Sequence, residues 1–191
     1  MFEYTNGRIS GAVIRLFQPA DSVSELTDLL HRAYASLAQA GFRFHAAWQD
    51  EGVTRLRIAS GECWVAGLDG RIIGTATLRP PGGAKGTPWY ERADVAVVGQ
   101  FAVDPAFQRS GLGTALLTCL ESRARTLGAR HLAMDTAEGA SHLIRYYARL
   151  GYGFVEHAQW EVTNYRSVVL SKQLDGAPAN PPIQPIGSAG G

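Results

Sequence analysis

Cysteine is scarce in this chain, with only Cys63 and Cys119 among 191 residues. The two lie far apart and in no metal-ligand spacing, which leaves no disulfide framework and suits a reducing cytoplasm. Long apolar runs are also missing. No stretch approaches the roughly 18 residues that a spanning helix needs, and Met1 to Ser10 lacks the basic-then-apolar pattern of a signal peptide. Neither sign of charge prevails: 18 basic and 17 acidic residues leave a formal charge of +1. With no basic patch, nothing invites a nucleic acid. A Walker A loop and internal repeats are absent as well. These absences predict a soluble, cytoplasmic protein with neither a nucleic-acid nor a membrane partner.

What remains is an ordinary globular composition, 46% hydrophobic and 18% charged, enough for one core. The expected organisation is an N-terminal segment over 1–11, one domain over 12–174, and a Gly/Pro-rich, disordered tail over 175–191. The domain opens with a strand at Ala12–Phe17, ended by Pro19. Ser22-x-x-Glu25 then has the pattern of a capping box. Leu26, Leu29, Leu30, Ala33 and Leu37 follow on one helical face, up to Gly41. Residues 42–60 mix aromatics with a short second helix. Asp69-Gly70 between two β-rich runs predicts a hairpin with a type I′ turn. Residues 80–93 form a long irregular loop, and Trp89 and Tyr90 within it favour function over disorder.

The centre of the pattern is Val95–Val103, apolar on both faces and therefore a central strand. Alternation puts Val97, Gly99, Phe101 and Val103 on one side and Val98, Gln100 and Ala102 on the other. Asp104-Pro105 stops it. A helix follows, burying Leu116, Leu117, Leu120, Ala124 and Leu127, exposing Thr114, Thr118, Glu121 and Arg125, and ending at Gly128. A strand over 131–135 then implies a parallel neighbour. Ser141 is placed to cap a last helix carrying Leu143, Tyr146, Tyr147 and Leu150. Two closing strands are expected near 152–156 and 166–170.

Between the central strand and its helix lies Gln108-Arg109-Ser110-Gly111-Leu112-Gly113. A glycine-rich loop at a helix start offers unpaired amides and the positive end of the helix dipole, an anion site. A dinucleotide fingerprint would require a third small residue where Leu116 stands and a tighter turn after the strand. Asp135, near the place of a ribose-binding acid, keeps a nicotinamide-dependent enzyme as a secondary reading.

The Gln-x-x-Gly-x-Gly spacing, preceded by Val103-Asp104-Pro105 and followed downstream by Tyr147-Ala-Arg-Leu-Gly-Tyr152, resembles the GNAT superfamily of N-acetyltransferases. The resemblance covers about residues 12–172 and implies a mixed α/β fold, a partly splayed central sheet flanked by helices. It implies acetyl-CoA as cosubstrate, its pyrophosphate held by the amides of Arg109, Ser110, Gly111, Leu112, Gly113 and Thr114, with Gln108 beginning the loop. The main chain of Phe101, Ala102 and Val103 would pair with the pantetheine arm and supply an oxyanion donor. Tyr147 would protonate the departing thiolate. An acetyl group would pass directly to an amine, with no covalent enzyme intermediate and no metal. A homodimer follows by analogy, and a non-catalytic acyl-CoA-binding regulator is the other alternative.

The pattern departs from the family at Ala140, where an asparagine is common, and in the lack of a carboxylate on Val95–Val103. Glu91, Asp94, His45 and His142 are candidate bases, with none assigned. A small-molecule amine or amino acid is the expected acceptor, bound by segments 42–60, 80–94 and 157–165. Those segments offer Trp48, Trp89, Tyr90, Trp160 and Tyr165, with Asp50, Glu51, Glu91 and Asp94 as partners for a cation.

Overall fold

The computed structural model describes residues 1–6 and 9–174; the tail expected over 175–191 lies outside them. The strands are β1 (Phe2–Asn6), β2 (Ile9–Leu16), β3 (Glu62–Leu68), β4 (Arg71–Arg79), β5 (Val95–Val103), β6 (His131–Ala137), β7 (Gly153–Gln159) and β8 (Arg166–Gln173). The helices are α1 (Val23–Gln39), α2 (Glu51–Ala59), α3 (Leu112–Thr126) and α4 (Ser141–Arg149). One eight-stranded sheet runs β1-β2-β3-β4-β5-β6-β8-β7. Its neighbours are antiparallel except β5 and β6, the parallel pair that the strand-helix-strand order predicted. Phe2–Asn6 form β1, and β2 begins at Ile9, which is buried in the core.

Alternation along the strands divides the core between two helices. Cys63, Val65 and Ile72 pack with Leu26 and Leu29 of α1. Trp64, Ala66 and Ile73 pack on the other face with Leu116, Leu117 and Leu120 of α3. Ser22 accepts from the Glu25 amide at 3.2 Å. Glu25 does not reach back to complete a capping box; its carboxylate accepts from the Ile72 amide at 2.7 Å and ties α1 to the sheet. The β3–β4 hairpin turns as expected, with Asp69 and Gly70 both at positive φ (49° and 77°).

The alternation expected along β5 breaks. Thr75 pairs with Ala102 and Thr77 with Gly99, so Gln100 and Phe101 together oppose Ala76. This is a β-bulge, with Gln100 at φ 49°. The extra residue flips the parity: Val97 packs in one cluster, whereas Phe101 and Val103 pack against the α3 side with Ala96 and Val98. Beyond the bulge the sheet also opens. β5 and β6 pair only from Val95↔His131 to Val97↔Ala133, while β6 stays paired to β8 as far as Ala137. The splay expected from the resemblance is present.

Two local expectations change. Glu121 does not face solvent. It is buried against β8, accepting from Lys172 Nζ at 2.8 Å and from the Tyr152 hydroxyl at 3.0 Å. Ser141 is not a cap: Ala140 holds that position without a side-chain bond, because the Ser141 amide already closes a turn onto the Gly139 carbonyl.

Candidate active site

The splay between β5 and β6 is bordered by two cavities. Tyr34, Phe101 and Tyr147 line both, so the cavities meet there.

The first cavity, about 620 Å³, lies between the end of β5, the start of α3 and helix α4. Its shape begins at Asp104, which caps a short turn over Pro105–Phe107 and is held by Arg32 at 2.8 Å. The chain then passes through two left-handed residues, Arg109 (φ 59°) and Gly111 (φ 89°), and enters α3. The helix start therefore points its first-turn amides, those of Gly113 and Thr114 included, toward the cavity. At Gly113 a Cβ would lie 3.1 Å from the Tyr146 hydroxyl and 3.2 Å from Phe101 Cζ, so the bare backbone keeps this passage open. Arg109, His142 and Arg149 line the cavity, and among the described lining residues there is no carboxylate. An elongated anion with an apolar end suits this space.

Of the residues expected here, Phe101, Ala102, Val103, Gln108, Arg109, Gly111, Gly113 and Thr114 line the cavity. Ser110 and Leu112 do not. Ser110 is turned inward, its hydroxyl donating to the Phe107 carbonyl at 2.6 Å and accepting from the Leu112 amide at 3.3 Å. Leu112 is fully buried in the core. Both shape the loop from behind. Gln108 donates to the Val103 carbonyl at 3.1 Å and Tyr34 to the Phe101 carbonyl at 2.9 Å.

Tyr147 projects from α4 to the junction of the cavities and is only 7% exposed. Phe101, Tyr146 and Tyr152 surround its ring, with centroids 5.3–6.3 Å away. Burial, reinforced by Tyr34, Tyr146 and Asp135, holds its phenol well above the usual tyrosine range. It therefore stays protonated through neutral and moderately alkaline pH. Tyr146, a helical step away, turns toward α3 and lies 3.4 Å from the Thr114 hydroxyl. Burial also pushes Tyr34 up to about 12. The signal for Tyr34 was present in the sequence, since it falls between Leu30 and Leu37 on the apolar face of α1.

The second cavity, about 330 Å³, is built from scattered side chains: Phe44 and His45, Arg57 of α2, Arg79 at the end of β4, and Tyr90, Asp135, Trp160 and Tyr165. The three segments expected to form an acceptor site all contribute, and Tyr90, Trp160 and Tyr165 line it. Trp48 and Trp89 do not: Trp48 stacks with His45 beneath Arg43, and Trp89 packs on Arg92. None of the four expected acids is among its lining residues. Asp50 caps α2, Glu51 pairs with Arg55, Glu91 accepts from the Gly86 amide and Asp94 pairs with Arg92.

The carboxylate that does line it is Asp135, on β6 beyond the last β5–β6 pair. Its two oxygens accept from the Tyr90 hydroxyl at 3.1 Å and the Trp160 indole N–H at 2.9 Å. Each carboxylate oxygen retains accepting capacity. The sequence marked Asp135 only as a possible ribose partner; the fold puts it at the opposite end of the splay from the Gly111–Gly113 loop. His45 also lines the cavity, its pKa lowered by burial and by Arg57.

The match of residues 23–152 to the model of the acetyltransferase (GNAT) family identifies the class of protein that this fold and site define. The chain belongs to that family and is an acyltransferase, which removes the nicotinamide and non-catalytic alternatives. It is 38% identical over 153 residues to S-(2-succino)cysteine N-acetyltransferase of Bacillus subtilis strain 168, covering 78% of this chain and 89% of that protein. A GNAT acetyltransferase from Elizabethkingia anophelis, solved with acetyl-CoA bound, superposes with a TM-score of 0.60 at 17% identity, covering 85% of this chain and 97% of that one. The ribosomal-protein-S18-alanine N-acetyltransferase of Escherichia coli superposes with a TM-score of 0.64 at 18% identity, covering 87% and 96%. The B. subtilis and E. coli proteins are named for unlike acceptors, a cysteine derivative and a ribosomal-protein alanine. The acceptor must therefore be argued from the second cavity.

Proposed function

We propose that this chain transfers an acetyl group from acetyl-CoA to the primary amine of a small amino acid, the first cavity holding the coenzyme and the second the acceptor. The observation that carries the reading is the meeting of the two cavities at Tyr147, with an amide-lined helix start at one end and a lone carboxylate at the other. The B. subtilis relative is named for a cysteine derivative, which supports an amino-acid acceptor.

The first cavity fits a coenzyme A ester: the helix start suits its pyrophosphate, and the open backbone edge of β5 at Phe101–Val103 suits its pantetheine amides. When bound, acetyl-CoA supplies a thioester activated toward amines. The rest is the work of this chain's own groups. The splay beyond Val97 and Ala133 provides the gap through which acceptor and thioester approach. Asp135 attracts the acceptor's ammonium, which releases one proton to solvent before the amine attacks; the proton the nitrogen sheds on becoming an amide replaces the one that Tyr147 gives to sulfur. Tyr147, kept protonated by burial, delivers a proton at its hydroxyl to the departing sulfur. An N–H from the Phe101–Val103 main chain opposes the developing negative oxygen. The aromatic walls exclude water, so the thioester is not wasted on hydrolysis.

Two measurements test the reading. Acetyl-CoA should raise the melting temperature at sub-millimolar concentration, because only a ligand of the native state does so. Free thiol should then appear when S-(2-succino)cysteine is supplied. No thermal shift with millimolar acetyl-CoA overturns the coenzyme assignment. Acetylation of peptide N-termini with free amino acids ignored overturns the acceptor assignment.

A further inference from the structure

The second cavity is unbalanced in charge. Arg57, Arg79 and Lys85 line it against the single carboxylate of Asp135. Among the described residues none of the three cations has a carboxylate within ion-pair distance: the ion pairs of the acids involve other cations, and Glu156, which acts on the lining Tyr90, accepts from the Trp89 amide. Arg57 is fixed by donating to Gln49 Oε1 at 2.5 Å, and Gln49 is itself buried and donates to Thr54 at 2.7 Å. Arg79 reaches over the bulge, its Nη2 within 3.7 Å of the place a Cβ would occupy on Gly99. Beside it the Gln100 side chain, 3% exposed, accepts from the Thr77 hydroxyl through Oε1 and leaves its Nε2 amide without a partner.

Arg57 and Arg79 have only neutral partners, Gln49 Oε1 and Ser60 Oγ (3.4 Å), so two half-buried charges and one unused buried amide donor lack an anion, and burial strips water from charges and donors alike. The cost appears at Arg57, whose pKa is lowered mainly by burial and further by the neighbouring charge of Arg79, with Tyr34 and Asp135 opposing only in part. Planar guanidiniums pair best with carboxylates, two parallel N–H bonds to each. His45, held low by burial and Arg57, adds no further charge at neutral pH. Asp135 gives the cavity a direction: it repels a carboxylate and attracts an ammonium.

Resting on the reading of an amino-acid acceptor, we propose that the acceptor's side chain carries two carboxylates, and that Arg57 and Arg79 are the specificity-determining residues that bind them. Gln100 Nε2 completes the receptor, and Lys85, exposed at the mouth, draws the anion in. The amine lies toward Asp135 and the splay. A succinyl-substituted cysteine has this charge distribution, whereas an amino acid with an uncharged side chain brings only its α-carboxylate, too few for two guanidiniums.

The test compares S-(2-succino)cysteine, S-carboxymethylcysteine and S-methylcysteine, with two, one and no side-chain carboxylates. Affinity is measured by calorimetry on the coenzyme A-bound protein, and kcat/KM by thiol release. In the wild type both should fall about tenfold or more with each carboxylate lost, the scale of a charge-assisted contact. Arg79→Gln and Arg57→Gln should each flatten the series, while an unchanged thermal shift with acetyl-CoA shows that the variant is folded and its first cavity intact. Should Arg57→Gln fail to fold, Arg79→Gln carries the test, because its strand-end side chain supports no buried network. Equal affinity for S-methylcysteine and S-(2-succino)cysteine in the wild type overturns the proposal and leaves the acetyltransferase reading standing. Graded binding that survives both substitutions overturns the assignment of the arginines. Graded binding without thiol release supports the receptor and sinks the reading of turnover.

Discussion

The two cavities are built from different materials. The first owes its chemistry to main chain: helix-start amides, a left-handed Gly111, a bare Gly113 and the edge of β5 beyond its last pair with β6. Its largest share comes from one continuous stretch, Phe101 to Thr114, with α1 and α4 supplying the rest. The second gathers residues from α1, α2, α4, the end of β4, β5 and β6, and three connections. A backbone site needs only a few residue types at set spacings, so it can be read as a motif. A side-chain site needs the fold to bring distant positions together, and it is free to change with the acceptor. The relatives fit this division: the fold is common to proteins named for unlike acceptors.

The division can be broken most sharply at the shared wall. Tyr147→Phe should lower kcat by roughly 10²–10⁴-fold, the usual span for a general acid, with acetyl-CoA affinity nearly unchanged by calorimetry. A comparable loss of coenzyme affinity would mean that Tyr147 is a wall of the first cavity and no more. Gly113→Val should separate the cavities the other way. Its side chain would enter the space held by the Tyr146 hydroxyl and Phe101, and acetyl-CoA affinity should fall at least about tenfold while the acceptor still binds. Asp135→Asn should raise the acceptor KM by about tenfold, the loss of one charge-assisted partner. The coenzyme-induced thermal shift should be unmoved, since Asp135 lines only the second cavity.

A smaller effect should appear beneath the shared wall. Lys172→Met leaves the buried Glu121 with Tyr152 as its remaining donor and should cost about 2 kcal/mol in denaturant unfolding, less than a fully buried pair because Lys172 keeps some solvent. Alkaline pH is a milder probe of the same wall. Tyr147 and Tyr152 have folded-state pKa values raised above the unfolded value near 10, mainly by burial. Their contribution is complete below about pH 10 and is lost above it, because the unfolded chain then releases protons that the native state retains. Stability should decline by about 1.4 kcal/mol per pH unit beyond that point for each of the two, and Tyr147→Phe should roughly halve their joint slope.

Much of the frame was legible. Asp69-Gly70 dictated its turn, Ser22 its cap, and the Gly111–Gly113 loop its place between strand and helix, because each depends on neighbours within a few residues. The misreadings share one cause. Glu121 looks like a solvent position until β8 brings Lys172 over it. Alternation through β5 fails at Gln100 because the bulge is set by pairing with β4. The acids of the loop segments looked available for a cation, yet each is held by a cap, a backbone amide or a nearby arginine.

Residue order by itself determined the glycine-rich helix start, the parallel pair around it and the tyrosine downstream, since local backbone geometry and short-range spacing suffice for these. Only the tertiary structure decided which charges line the second cavity. Arg57, Arg79 and Asp135 lie on three separate elements, and nothing in their sequence spacing measures how far apart they stand. The splay of β5 from β6 makes them neighbours of Tyr147, and their charge imbalance exists only once the other acids have found partners elsewhere.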